Sequence, residues 1–129
     1  MSDNSPNFSI AIISTDKSIR MSLGKVFNSK RYEVSMYQSL DEFQANVNRN
    51  AIHCLILSID IILGYKNFIK NFKKQNSQSS VIVVGDREEY GQAVTSIQAG
   101  ADDYLFMPVS TLKLRALVNQ MVSDKIRNS

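Results

Sequence analysis

Cys54-Leu55-Ile56-Leu57-Ser58 is an apolar run without alternation that stops at a hydroxyl. A strand wetted on one face alternates. A strand buried on both faces does not, because helices cover a parallel sheet on each side. In such sheets the chemistry gathers beyond the carboxyl ends of the strands, in the crevice where strand order reverses. Ser58 therefore stands where a reactive side chain is expected.

The rest of the chain supplies partners for that strand. Phe8–Ile13 (FSIAII) reads as a first strand and ends at Ser14-Thr15-Asp16. Asp16 suits the cap of a first helix, whose apolar face is Ile19, Leu23, Val26 and Phe27. Tyr32–Tyr37 reads as a second strand. Ser39-Leu40-Asp41-Glu42 has a hydroxyl followed three places on by a carboxylate, a capping box for a helix that turns Leu40, Phe43 and Val47 inward. Residues 52–58 form the third strand, with His53 at its entry as a structural histidine. Phe68, Ile69 and Phe72 mark a third helix, and residues 81–84 a fourth strand ending at Gly85-Asp86. A fourth helix carries Ala93, Val94, Ile97 and Ala99 as its apolar set and stops at Gly100. Residues 104–107 form a fifth strand before Pro108, and Ser110 caps a last helix with Leu114, Leu117, Val118 and Met121 inward. Five strands alternating with five helices predict an α/β fold, a parallel sheet joined by right-handed crossovers with helices on both faces.

The chain of 129 residues is 43% hydrophobic, which suits one core. Its boundaries are read as a flexible N-terminus over residues 1–7, a domain over 8–122, and a polar C-terminal tail or linker over 123–129. Net charge is +3 and the pI near 9.1, too mild to indicate nucleic acid. Lys66, Lys70, Lys73 and Lys74 read as a solvated helix face. The single cysteine, Cys54, excludes an internal disulfide and reads as an inert buried thiol. No apolar run reaches about 18 residues, so no membrane span is expected. The polar start lacks a signal-peptide core, and a cytoplasmic location is the expectation.

Several local strings are more specific. Gln98-Ala99-Gly100-Ala101-Asp102-Asp103-Tyr104-Leu105, followed by Met107-Pro108, is similar to a small-residue turn, an acidic pair, an aromatic and a Lys-Pro. Ile13-Ser14-Thr15-Asp16-Lys17-Ser18-Ile19-Arg20 looks like a strand, an acidic run and a helix. Tyr32-Glu33-Val34 and Ser39-Leu40-Asp41-Glu42-Phe43 match the second strand and the opening of the second helix. Through these strings residues 9–122 resemble the receiver domain of two-component response regulators. The resemblance implies a flavodoxin-like three-layer sandwich with strand order 2-1-3-4-5, and a part in phosphorelay signal transduction.

The family's chemistry uses five strand-end side chains. Two carboxylates after the first strand help to hold Mg²⁺. An aspartate ending the third strand accepts the phosphoryl group. A Thr or Ser ends the fourth strand and a Lys the fifth. Carried onto this chain, these positions are Ser14 and Thr15, Ser58, Gly85 and Met107; none keeps the family's residue. Tyr104 matches the family's switch aromatic. Mg²⁺ usually wants one or two carboxylates, and an unactivated serine stays protonated near neutral pH. A second register is open: Asp60-Ile61-Ile62-Leu63-Gly64 also looks like the family's acceptor and its turn, which makes Asp60 the acceptor and brings Mg²⁺ with it.

The expectation drawn from these residues is a receiver without phosphotransfer, a pseudo-receiver. It is not an enzyme, needs no cofactor, and serves as a protein-interaction module. It would pair with a protein partner or with itself through the fourth helix, fifth strand and fifth helix, as the resemblance implies, with an effector domain possible outside this sequence. Neither membrane nor nucleic acid is indicated. The alternatives are an active receiver using Asp60 and a small-ligand binder at the strand-end crevice; no Gly-rich phosphate loop supports the latter.

Overall fold

The computed structural model describes residues 8–46, 52–58, 64–86 and 90–127. In chain order the elements are β1 (Phe8–Ile13), α1 (Lys17–Val26), β2 (Tyr32–Tyr37), α2 (Leu40–Asn46), β3 (Cys54–Ser58), α3 (Tyr65–Gln75), β4 (Ser80–Gly85), α4 (Tyr90–Ala99), β5 (Asp103–Phe106) and α5 (Thr111–Arg127). The five strands form one parallel sheet in the order β2-β1-β3-β4-β5. β3 is buried along its whole length, as its unbroken apolar run requires.

Alternation along the strands divides the core. Ile13, Leu55, Leu57, Val81 and Val83 meet Phe43, Phe68, Ile69 and Phe72 of α2 and α3. Ile10, Ile12, Cys54, Ile56, Ile82 and Leu105 meet Leu23 of α1 and Leu114 and Val118 of α5. Burial first, and the charge of Asp102 second, push the Cys54 thiol up to about 12, so it stays protonated and unreactive near neutral pH.

The helix starts follow their sequence signals. Asp16 accepts the Ile19 N–H at 3.2 Å. Ser39 Oγ accepts the Glu42 N–H at 3.0 Å, while the Glu42 carboxylate reaches one residue past the cap to the Gln38 N–H at 2.7 Å. Ser110 Oγ accepts the Lys113 N–H. His53 is structural: its Nδ1 accepts the Ser9 N–H at 2.9 Å and its ring stacks on Phe8, so a side chain closes the ladder where β3 has not begun.

Two expectations need correction. Residues 123–127 are not a tail but the last turns of α5, with Gln120 bonded to Asp124 across one turn. That extension is mostly polar in sequence and carries little apolar periodicity. The second correction concerns α4. Val94 and Ile97, read as part of its apolar set, are 43% and 47% exposed. The residue fully buried is Ser96, with Ala93 and Ala99 half-buried beside it. These fall at i, i+3 and i+6, so α4 seats by its smallest side chains rather than its most apolar ones. Small side chains let a helix lie close to what it covers. The cost is polar: among the described residues, Gln92 Oε1 and Ser96 Oγ are buried without a hydrogen-bond partner. Val47, expected inward from α2, lies outside the described residues.

Gly100 follows α4 with φ +123, a conformation that side-chain-bearing residues rarely adopt. A Cβ there would sit 3.3 Å from Lys73 Cγ, so the glycine also allows α3 and the α4–β5 turn to approach. No helix among the described residues is long and apolar enough to cross a membrane.

Candidate functional site

The strand register fixes what stands at the carboxyl end of the sheet. Ile13 pairs with Leu57, and Leu57 with Val83. One step on, Ser58 pairs with Val84 and Val84 with Leu105, and Ser14 continues β1 into the same row. Gly85 and Phe106 form the next row, and the Met107 N–H still donates to the Gly85 carbonyl at 2.8 Å. Met107 thus lies just past the end of β5, two rows beyond Ser58, instead of being its last residue.

Side-chain alternation then sorts the faces. Ser14 and Ser58 follow residues that face α2 and α3, so both side chains turn to the α1 and α5 side of the sheet. Met107 packs against the core on that same side. Ser14, Ser58 and Met107 therefore stand at the same end of the sheet and on the same face, with Met107 two rows farther out. Ser14 is fully buried and Ser58 is 4% exposed. Thr15 is exposed. Met107 also forms part of the wall of an open groove of about 270 Å³ between α1 and the β5–α5 turn, whose lining includes Ile19, Val26, Pro108 and Val109.

The hydrogen bonds show how these groups are used. Ser14 Oγ accepts the Asp16 N–H at 3.1 Å. No hydrogen bond to the Ser58 hydroxyl occurs among the described residues. Arg20 donates through Nη1 to the Ser14 carbonyl at 2.7 Å. The sequence reading missed Arg20. The available signal was its place one turn into α1, since helical side chains lean back toward the N-terminus. Arg20 thus brings a guanidinium to the rim of the crevice.

Asp16 is occupied as the cap of α1, and Asp86 is exposed just after β4. No carboxylate stands in the row of Ser14 and Ser58, and no His, Cys, Asp and Glu grouping suited to a metal occurs among the described residues. Two hydroxyls, one of them already accepting a backbone N–H, with a guanidinium on the adjacent carbonyl, do not suit Mg²⁺. Asp60, Ile59 and Ile62 lie outside the described residues.

Tyr104 lies on the opposite side of the sheet. Its ring is half-buried against the α2–α3 core and edge-on to Phe106, with centroids 5.3 Å apart. The hydroxyl oxygen is buried.

The sheet order, the crossovers and the strand-end row can be compared with known proteins. The response regulator receiver domain family matches residues 10–119. The chain belongs to that family. This receiver domain is similar in fold to a CheY-like response regulator receiver domain protein from Methanospirillum hungatei, with a TM-score of 0.82 and 20% identity over 95% of this chain and 98% of that one. It is also similar to the response regulator DrrB of Thermotoga maritima, an OmpR/PhoB homolog, with a TM-score of 0.79 and 21% identity. That match covers 92% of this chain and 54% of DrrB. Full-length FixJ from B. japonicum gives a TM-score of 0.79 and 20% identity over 92% of this chain and 59% of FixJ. The chain is thus a receiver domain of two-component systems, and the same fold occurs as part of longer response regulators.

Proposed function

We propose that this receiver domain works without phosphoryl transfer, as a protein-interaction module in two-component signalling. The observation that supports the reading is what stands at the strand ends: Ser14 follows β1, Ser58 ends β3, and Met107 lies just past β5 against the apolar core. A phosphoryl-accepting crevice needs carboxylates to hold a divalent cation and a cation to meet the phosphoryl oxygens. Serine and methionine supply neither charge, and Gly85 has no hydroxyl to draw toward a phosphate. Regulation by phosphate requires differential contacts with two states of the domain, and these side chains do not make them.

The output face in this reading is α4, β5 and α5, where Lys113 and Arg115 are exposed and Tyr104 and Phe106 are half-buried. It serves a homodimer, another protein or an appended effector domain in the cytoplasm. The test is intact mass after incubation with acetyl phosphate and Mg²⁺, with sedimentation in parallel. The expected result is an unmodified chain whose self-association does not change on adding beryllofluoride. A phosphoryl adduct that disappears in Asp60→Asn would replace this reading with an active receiver.

A further inference from the structure

We propose that the outer edge between α3 and α4 is a docking site for an acidic amphipathic helix of a partner protein. This rests on the interaction-module reading and names the partner's chemistry. α3 and α4 lie side by side, and a Cβ at Gly100, just past α4, would meet Lys73 Cγ at 3.3 Å, so Lys73 marks the flank that α3 turns to the end of α4. Helical residues advance by about 100° each. On α3, Lys66 then falls on the same flank as Lys73, and Lys70 lies between that flank and the outer face. On α4, Ser96 faces the sheet, so Ile97 turns toward α3 and Val94 outward.

An exposed apolar pair on α4 therefore runs beside a basic row on α3. Lys66 and Lys70 are exposed and make no ion pair among the described residues, whereas Lys73 is held by Asp102 at 3.0 Å. Helix α3 has no acidic residue to balance its lysines. The seating of α4 is the second part of the case. It buries Gln92 Oε1 and Ser96 Oγ and leaves Val94 and Ile97 to water, the reverse of what solvent alone favours. A helix with an apolar stripe flanked by carboxylates satisfies both rows at once. A nucleic acid would use only the lysines.

The test uses the whole chain, isotopically labelled for amide shift mapping. The probe is a synthetic helix of about 18 residues, long enough to hold helical structure, with a leucine stripe flanked by glutamates. A scrambled peptide of the same composition, a single-stranded oligonucleotide and phosphatidylserine vesicles are the other arms. The expected shifts fall in residues 66–74 and 91–98. Affinity should drop about tenfold in Lys66→Glu with Lys70→Glu, and about tenfold in Val94→Ser with Ile97→Ser. Thermal melts confirm that each variant is folded, and Lys70→Gln provides a milder change. Equal binding of the scrambled peptide would overturn the proposal. So would shifts elsewhere, no binding, or oligonucleotide or vesicle binding that needs the lysines but not Val94 and Ile97. No phosphoryl donor is present, so failure here leaves the phosphate reading untouched, and a phosphorylated Asp60 would leave this surface standing.

Discussion

Replacing Asp102 by alanine should destabilise the domain far more than breaking its ion pair does. The carboxylate accepts the N–H of the fully buried Val81 at 2.7 Å, and Lys73 Nζ at 3.0 Å. The Asp102 N–H returns a bond to the Val81 carbonyl at 2.7 Å. Asp102 therefore closes the start of β4 one residue before β5 begins to pair. Leaving a buried N–H without an acceptor costs about 1–3 kcal/mol. The ion pair adds about 0–1 kcal/mol, because Asp102 is 41% exposed. The sum for Asp102→Ala is about 1–4 kcal/mol. Asp102→Asn keeps an acceptor and should lose about 1 kcal/mol. Lys73→Met keeps the stem against Gly100 and should lose about 1 kcal/mol or less. Urea unfolding of the three variants, followed by circular dichroism, gives the order. Equal losses in Asp102→Ala and Lys73→Met would show that the backbone bond contributes nothing, and the reasoning would be refuted.

Other outcomes follow from single positions. Gly100→Ala should cost about 1–3 kcal/mol, because it forces a side chain into a positive-φ site beside Lys73; a thermal melt within a degree of the parent would contradict this. Ser96→Ala removes a buried hydroxyl without a partner among the described residues and should be neutral or stabilising by about 1 kcal/mol; a clear loss in urea unfolding would reveal a hydrogen bond to that hydroxyl. The Cys54 thiol ordinarily ionises near 9.0 and is pushed up to about 12 in the folded chain. Between these values the unfolded chain loses the proton first, so stability falls as pH rises, by about 1.4 kcal/mol per pH unit at most. Cys54→Ala should flatten that part of the unfolding profile, and an unchanged slope would assign the effect to other groups.

Much of this architecture can be read from residue types because burial on two faces leaves a plain signature. Cys54 to Leu57 show it for β3, and Asp16, Ser39 and Ser110 mark helix starts through bonds that only their side chains can make. The strand-end positions were legible for the same reason, since the ends of β1, β3 and β4 are where the apolar runs stop. The rotation of α4 was not legible. Periodicity locates the stripe of Val94 and Ile97, but the space over the sheet admitted only Ala93, Ser96 and Ala99. The extension of α5 was hidden because its mostly polar residues show no apolar repeat. Arg20 was missed because its role depends on a carbonyl, and carbonyls leave no mark in a sequence.

The seating of α4 also bears on how firmly that helix is held. It grips the sheet through small side chains, with two polar atoms buried at a loss. Local opening costs least where few apolar contacts must be broken. Amide protons of α4 should therefore exchange with solvent well before those of α3, which is anchored by Phe68, Ile69 and Phe72. A partner that lies across α4 supplies the missing contacts and slows that exchange. A helix held loosely by its own domain is thus one whose protection directly reports that something else is bound.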